Sequence, residues 1–271
     1  MQSQTSAEAE AEAEGLLPLA SAQEDLNDED QVTEEGLPLT ETESRRGDTV
    51  FALVSVCSLL AIVGYTWNLV LTSNPTQLGY FAVHPPAQTL AVLALFIGVL
   101  QLQPRRQPKS RERGLARHQL IMLGLGAPTI LIGGGFMMWN KVDHSAPHFT
   151  SWHGKFGLTA LLWICVHILV GGSTVWFGGR AFGGQTEAKK IWKWHRKLTR
   201  LFVWCVTKVI GISTVAFLLL TIHLAGAYAD WVVTHTSRPA RIFIYTILPI
   251  FTLGGLFMRM RRDKLPGFQP T

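Results

Sequence analysis

The sequence predicts an all-α membrane protein of six transmembrane helices, with the second to fifth forming a four-helix bundle. Three observations predict it. The 271-residue chain is 48% hydrophobic and only 16% charged. Its apolar residues gather into six runs, each near the roughly 20 residues that cross ~30 Å of hydrocarbon. A histidine stands near the start of four successive runs: His84, His118, His153 and His195. In lipid, runs of this length must be helices, because every backbone polar group has to be satisfied internally.

Residues 1–48 are expected to form a disordered acidic cytosolic tail. They hold 14 of the 19 acids, an Ala-Glu repeat from Ala7 to Glu14 and almost no aromatics. Such a composition buries too little apolar surface to offset ordering entropy. It lacks the basic start and early apolar core of a cleavable signal, so the first run, Val50–Leu71, is read as an uncleaved anchor. The other runs are Tyr80–Leu102, Ala116–Trp139, Trp152–Phe177, Leu201–Ala229 and Arg241–Met258. Together they define a membrane domain over 49–262, followed by a short cytosolic tail over 263–271.

Charge orients the helices. Beyond residue 48 the chain has 22 Lys and Arg against 5 acids. Most of these bases fall in alternate connections: Arg105, Arg106, Lys109, Arg111, Arg113 and Arg117; then Arg180, Lys189, Lys190, Lys193, Arg196, Lys197 and Arg200; then Arg259, Arg261, Arg262 and Lys264. The opposite loops hold only Lys141, Arg238 and Arg241. By the positive-inside rule both termini are cytosolic. The bases therefore face lipid headgroups, and no nucleic-acid partner is expected. Trp139, Trp152 and Trp231 are expected at the outer interface, and Trp176, Trp192 and Trp194 at the inner one.

The same alternation sorts the histidines. His84 and His153 fall on the outer side, His118 and His195 on the inner side. Two imidazoles per layer is what bis-histidine ligation of haem iron needs. Two b-type haems across the bilayer follow, held non-covalently because no C-x-x-C-H occurs. Glycines that allow close helix approach accompany them: Gly124, Gly126 and Gly133–Gly135, then Gly154, Gly157, Gly171 and Gly172. On the fifth run Lys193, Lys197 and Arg200 share one face while Trp192, His195 and Thr199 share another, which turns His195 inward. Helices one and six carry no histidine and should flank the bundle. His167 and His223 are expected to make hydrogen bonds within it, and Lys208 to snorkel toward the inner interface. Cys57, Cys165 and Cys205 all lie in apolar runs and read as no disulfide framework.

With these residues placed, the chain resembles the cytochrome b561 family, in its small form without an appended extracellular domain. The resemblance rests on His84-Pro85, Ala116-Arg117-His118, His148 and His153 in HFTSWHG, and Trp194-His195-Arg196, and it covers roughly residues 48–262. It implies transmembrane electron transfer as an ascorbate-dependent oxidoreductase or ferric reductase. The donor would be cytosolic ascorbate or another small reductant; the acceptor would be monodehydroascorbate or a ferric chelate on the far side. It implies His118 and His195 for the inner haem and His84 and His153 for the outer, and a homodimer in the membrane lipid. Arg113, Arg117, Lys190 and Lys193 would meet the reductant, though the positive-inside rule accounts for them equally. His148 and His144 would meet the acceptor.

Two other readings stand beside this one: a polytopic scaffold whose histidines are interfacial, and a transporter. Only Glu112, Asp143, Glu187, Asp230 and Asp263 follow Thr49, which leaves no intramembrane carboxylate relay for proton coupling. The stretch from Glu12 to Leu17 has the form of an acidic dileucine signal, so an endomembrane location (vacuole, lysosome or endosome) is expected.

Overall fold

The computed structural model describes residues 47–102, 108–184, 186–191 and 225–259, with backbone only at 108, 109 and 111. Helix α1 spans Asp48–Thr72. A short turn over Pro75–Leu78 and a 3₁₀ segment over Gly79–Val83 lead into α2, His84–Leu100. Helix α3 runs from Pro108 to Asp143 and is interrupted by one wide π-turn at Met122–Gly126. Helix α4 is Trp152–Val175, and the short α5 is Asp230–His235. Helix α6 runs from Arg238 to Arg259 with a second π-turn at Phe243–Ile247. No strand occurs among the described residues.

Five helical segments are long and apolar enough to cross a membrane: Asp48–Thr72, Pro75–Leu100, Glu112–Asp143, Trp152–Phe182 and Arg238–Arg259. They match the first to fourth and the sixth apolar runs. The fifth run, Leu201–Ala229, lies outside the described residues except for 225–229. Leucines on the outward faces, such as Leu53, Leu71, Leu131, Leu162 and Leu169, are more than half exposed, as lipid-facing residues are.

The described residues form two compact units, one of α1–α3, α4 up to Ile164 and the stretch 225–259, the other of Cys165 to Ile191. In the first unit α1 packs against α6 and α2, and α2 packs against α3. A buried cluster joins α1, α2 and α6: Leu59 and Ile62, then Val92, Leu93, Phe96 and Leu100, then Ile244, Tyr245, Leu248 and Leu256. In lipid such packing draws on close contact and hydrogen bonds, because tails are as apolar as leucine. The α1–α6 seam has both. A Cβ at Gly255 would overlap Ser55 Oγ and the Phe51 carbonyl, so the helices touch backbone to backbone there. Ser55 Oγ donates to the Thr252 carbonyl at 2.9 Å, and the hydroxyls of Thr66 and Tyr245 are 3.0 Å apart. Arg259 Nη1 donates to the Asp48 carbonyl at 3.1 Å. Asp48, which the sequence assigned to the tail, is therefore the buried first residue of α1.

Both π-turns have the same cause. Each closes two residues before a proline, Pro128 after Gly126 and Pro249 after Ile247. Within a regular helix a proline ring collides with the carbonyl four residues back and lacks its own N–H. Widening the preceding turn relieves the collision. The bonds show the widening: Ala127 N–H donates to the Met122 carbonyl and Leu248 N–H to that of Phe243, each across five residues.

Candidate cofactor-binding site

Two of the described histidines of the set, His84 and His153, are fixed at helix starts by local chemistry. Pro85 and Pro86 lack N–H groups and are tolerated in a first helical turn, which pins His84 to the N-terminus of α2. Ser151 Oγ accepts from the Gly154 N–H at 3.1 Å and caps α4, which fixes His153 in that first turn. His118 sits within the first half of α3, one turn before the wide turn.

The structure brings His84 and His153 together. Their ring centroids are 6.0 Å apart and the planes cross at 81°. Two imidazoles that share one metal at about 2.0 Å each hold their centroids about 6 Å apart, so the spacing fits one iron between them. A side chain at Gly226 would come within 3.4 Å of His153 Nδ1, so the glycine leaves the His153 ring its room.

In the His84 and His118 rings the second nitrogen has a partner that the sequence did not show. His84 Nδ1 is 2.9 Å from the Gly133 carbonyl, and His118 Nδ1 is 3.0 Å from that of Gly98. A carbonyl oxygen only accepts, so in the neutral rings Nδ1 carries the proton and Nε2 the lone pair. That is the tautomer a metal requires, and such partners orient metal-ligating histidines. Among the described residues no group of three or more His, Cys, Asp or Glu gathers. Haem iron takes its other bonds from the macrocycle, so paired imidazoles match haem chemistry better than a protein-only metal cage.

The remaining predicted residues are dispersed. His195 and Lys193, like His223 and Lys208, lie outside the described residues, as do the dileucine and most of the acidic tail. Arg113 and Arg117 are exposed on α3 before His118. Lys190 Nζ pairs with Glu187 at 2.6 Å in the helical stretch 186–191. His144 is exposed and its Nδ1 is 2.8 Å from the Asn140 carbonyl. His148 is exposed, with its ring 6.0 Å from that of Phe149. Trp139 and Trp152 are exposed, whereas Trp231 is packed inward. Its ring meets Phe81 at 5.1 Å and stacks on His235 at 4.9 Å, and Phe81 in turn lies 6.3 Å from His84. Sequence reasoning missed this aromatic group, because Phe81 reads as one more apolar residue of the second run and His235 falls between two runs.

Fold and site together define a polytopic helical membrane protein with imidazoles paired at helix starts. Comparison with known proteins agrees. Residues 107–219 match the family described as eukaryotic cytochrome b561. A bovine (Bos taurus) protein named transmembrane reductase CYB561D2 is 26% identical over 126 residues, 45% of this chain. The chain spans about 56% of the length of that relative. The chain is thus similar to cytochrome b561 proteins over its middle part. The matched stretch holds His118, His153 and His195; His84 lies outside it and is tied to the site by its position beside His153.

Proposed function

We propose that this protein carries electrons across a membrane as a dihaem b-type oxidoreductase. The observation that carries the reading is the His84–His153 pair, spaced for one iron, with the His84 tautomer fixed by Gly133. His84 and His153 would hold the outer haem, and His118 with His195 the inner one. Bound there, haem supplies one-electron chemistry, which the polypeptide itself lacks.

The chain's own residues orient and select. The Gly133 and Gly98 carbonyls hold Nε2 of His84 and His118 available. Phe81 and Trp231 cover the His84 side against water. Arg113 and Arg117, exposed ahead of His118, suit an anionic reductant such as ascorbate on the cytosolic side; Lys190 and Lys193 extend the same charge along the chain. His148 and His144, exposed in the α3–α4 loop, suit an acceptor such as monodehydroascorbate or a ferric chelate. Both termini are cytosolic on this reading. The acidic tail carries an endomembrane address, and the protein works as a homodimer.

Difference spectroscopy of detergent-purified protein tests this. The expected result is about two b-type haems per chain, reduced in part by ascorbate and fully by dithionite. Folded protein grown with ample haem yet lacking any b-type band would return the histidines to a scaffold role.

A further inference from the structure

Helices α2 and α3 run antiparallel, and each lends the other a carbonyl. His84 at the start of α2 bonds to Gly133 far along α3; His118 on α3 bonds to Gly98 near the end of α2. The intervening contacts keep one register. Met122 lies against Gly98, Leu95 against Gly126 and Ala87 against Gly133, and Gln88 Nε2 donates to the Ile130 carbonyl at 3.0 Å. Glycines stand where the helices approach most closely. A Cβ at Gly133 would lie 2.9 Å from Ala87 Cβ, and one at Gly126 2.8 Å from Leu95 Cδ2.

The two arms of this exchange differ by one residue. From His84 to Gly98 along α2 is 14 residues, whereas from His118 to Gly133 along α3 is 15. Both must cover the same distance between the two layers, about 21 Å at 1.5 Å per residue. The extra residue on α3 is the one absorbed by the π-turn ahead of Pro128. We propose that this turn is a register device: it sets the Gly133 carbonyl on His84 while the Gly98 carbonyl stays on His118, so both imidazoles present Nε2 in their two layers at once. Gly98 and Gly133 are thereby positioning residues that act through their backbone. The inference deepens the haem reading and rests on it for its role, though not for its geometry.

Closing the turn tests it. Pro128→Ala removes the ring that forces the turn wide, so the turn closes to a regular one and the extra residue rotates the segment beyond it by about 100° and pushes it onward by about 1.5 Å. Gly133 then leaves His84, while the His118 end is untouched. Low-temperature EPR and haem per chain in the purified full-length protein are the first readouts. The expected result is loss or displacement of the low-spin signal that His84→Ala also removes, with the second signal in place and haem per chain roughly halved. Deleting Gly124 in the Pro128→Ala chain is expected to restore the lost signal, because 14 regular residues then separate the two layers on both helices. The proposal fails if Pro128→Ala leaves both signals at their original positions, if the deletion does not restore the lost one, or if both haems vanish and stay absent.

Nitrogen-15 NMR of histidine-labelled protein reads the same register without haem. In the intact chain His84 shows the Nδ1-protonated, hydrogen-bonded tautomer, and in Pro128→Ala it does not. A chain that holds no haem yet shows this change would sink the haem reading and keep the register. A haem-loaded chain whose His84 tautomer ignores Pro128→Ala would do the reverse.

Discussion

At residue scale, two neighbouring glycines separate the close approach of α2 and α3 from ordinary helix propensity. A Cβ at Gly133 would meet Gln88 Nε2 at 2.7 Å and Ala87 Cβ at 2.9 Å, whereas one at Gly135 would meet nothing within 4 Å. Glutamine can swing aside; the Ala87 methyl cannot without moving α2. Alanine brings about 1 kcal/mol of helix propensity over glycine at either site. Gly135→Ala is therefore expected to be neutral or stabilising by up to about 1 kcal/mol. Gly133→Ala should destabilise by about 1–3 kcal/mol from overpacking and lengthen the His84 bond. Thermal unfolding in detergent checks the difference, and equal effects at the two sites would refute the contact. The nearness of His84 and His153 was legible in the sequence, because residue type and spacing are properties of side chains. The carbonyl partners of His84 and His118 were not legible, because every residue offers a carbonyl and only the helix register selects which one.

At the scale of elements, the α1–α6 seam is held apart from the histidines and should be separable from them by mutation. Tyr245→Phe removes the 3.0 Å hydroxyl contact with Thr66. Interhelical hydrogen bonds in membranes average about 0.6 kcal/mol, so a loss on the order of 0.5–1 kcal/mol is expected. Gly255→Leu is a larger insult, since even a Cβ there overlaps Ser55 and the Phe51 backbone. It should lower the melting temperature well beyond Tyr245→Phe, while haem per folded chain stays constant in both. Haem loss in Tyr245→Phe would show that seam and site are coupled. Five of the six apolar runs reappear as helices with ends shifted by a few residues, because length and hydropathy alone decide a span. The π-turns were not legible that way. Their signal was Pro128 and Pro249 inside otherwise continuous apolar runs, where a proline marks either a break or a widened turn. Hydrophobic periodicity does not choose between them; the contacts of α3 with α2, and of α6 with α1, keep each helix running through.

At the scale of the whole molecule, direction matters more than architecture, because a transmembrane electron carrier is useful only if donor and acceptor meet opposite ends. On the proposed reading, the charge bias would assign the ends. Basic residues crowd the connection before His118, and the α3–α4 loop that carries His144 and His148 has almost none. Two exposed positions report on this directly, Glu112 ahead of His118 and Ser145 in the opposite loop. With Cys57, Cys165 and Cys205 replaced by alanine, single Glu112→Cys and Ser145→Cys variants can be probed in sealed vesicles of known orientation with a membrane-impermeant maleimide. Ser145→Cys is expected to react from the non-cytosolic side and Glu112→Cys only after the cytosolic side is opened. The inverted pattern would place His118 beside the lumen and reverse the assigned direction of electron flow. It would also remove the argument for ascorbate at Arg113 and Arg117, because those cations would then face the acceptor. Labelling of both positions from one side would mean that α3 does not span the bilayer, and the two-layer arrangement of the histidines would fall with it.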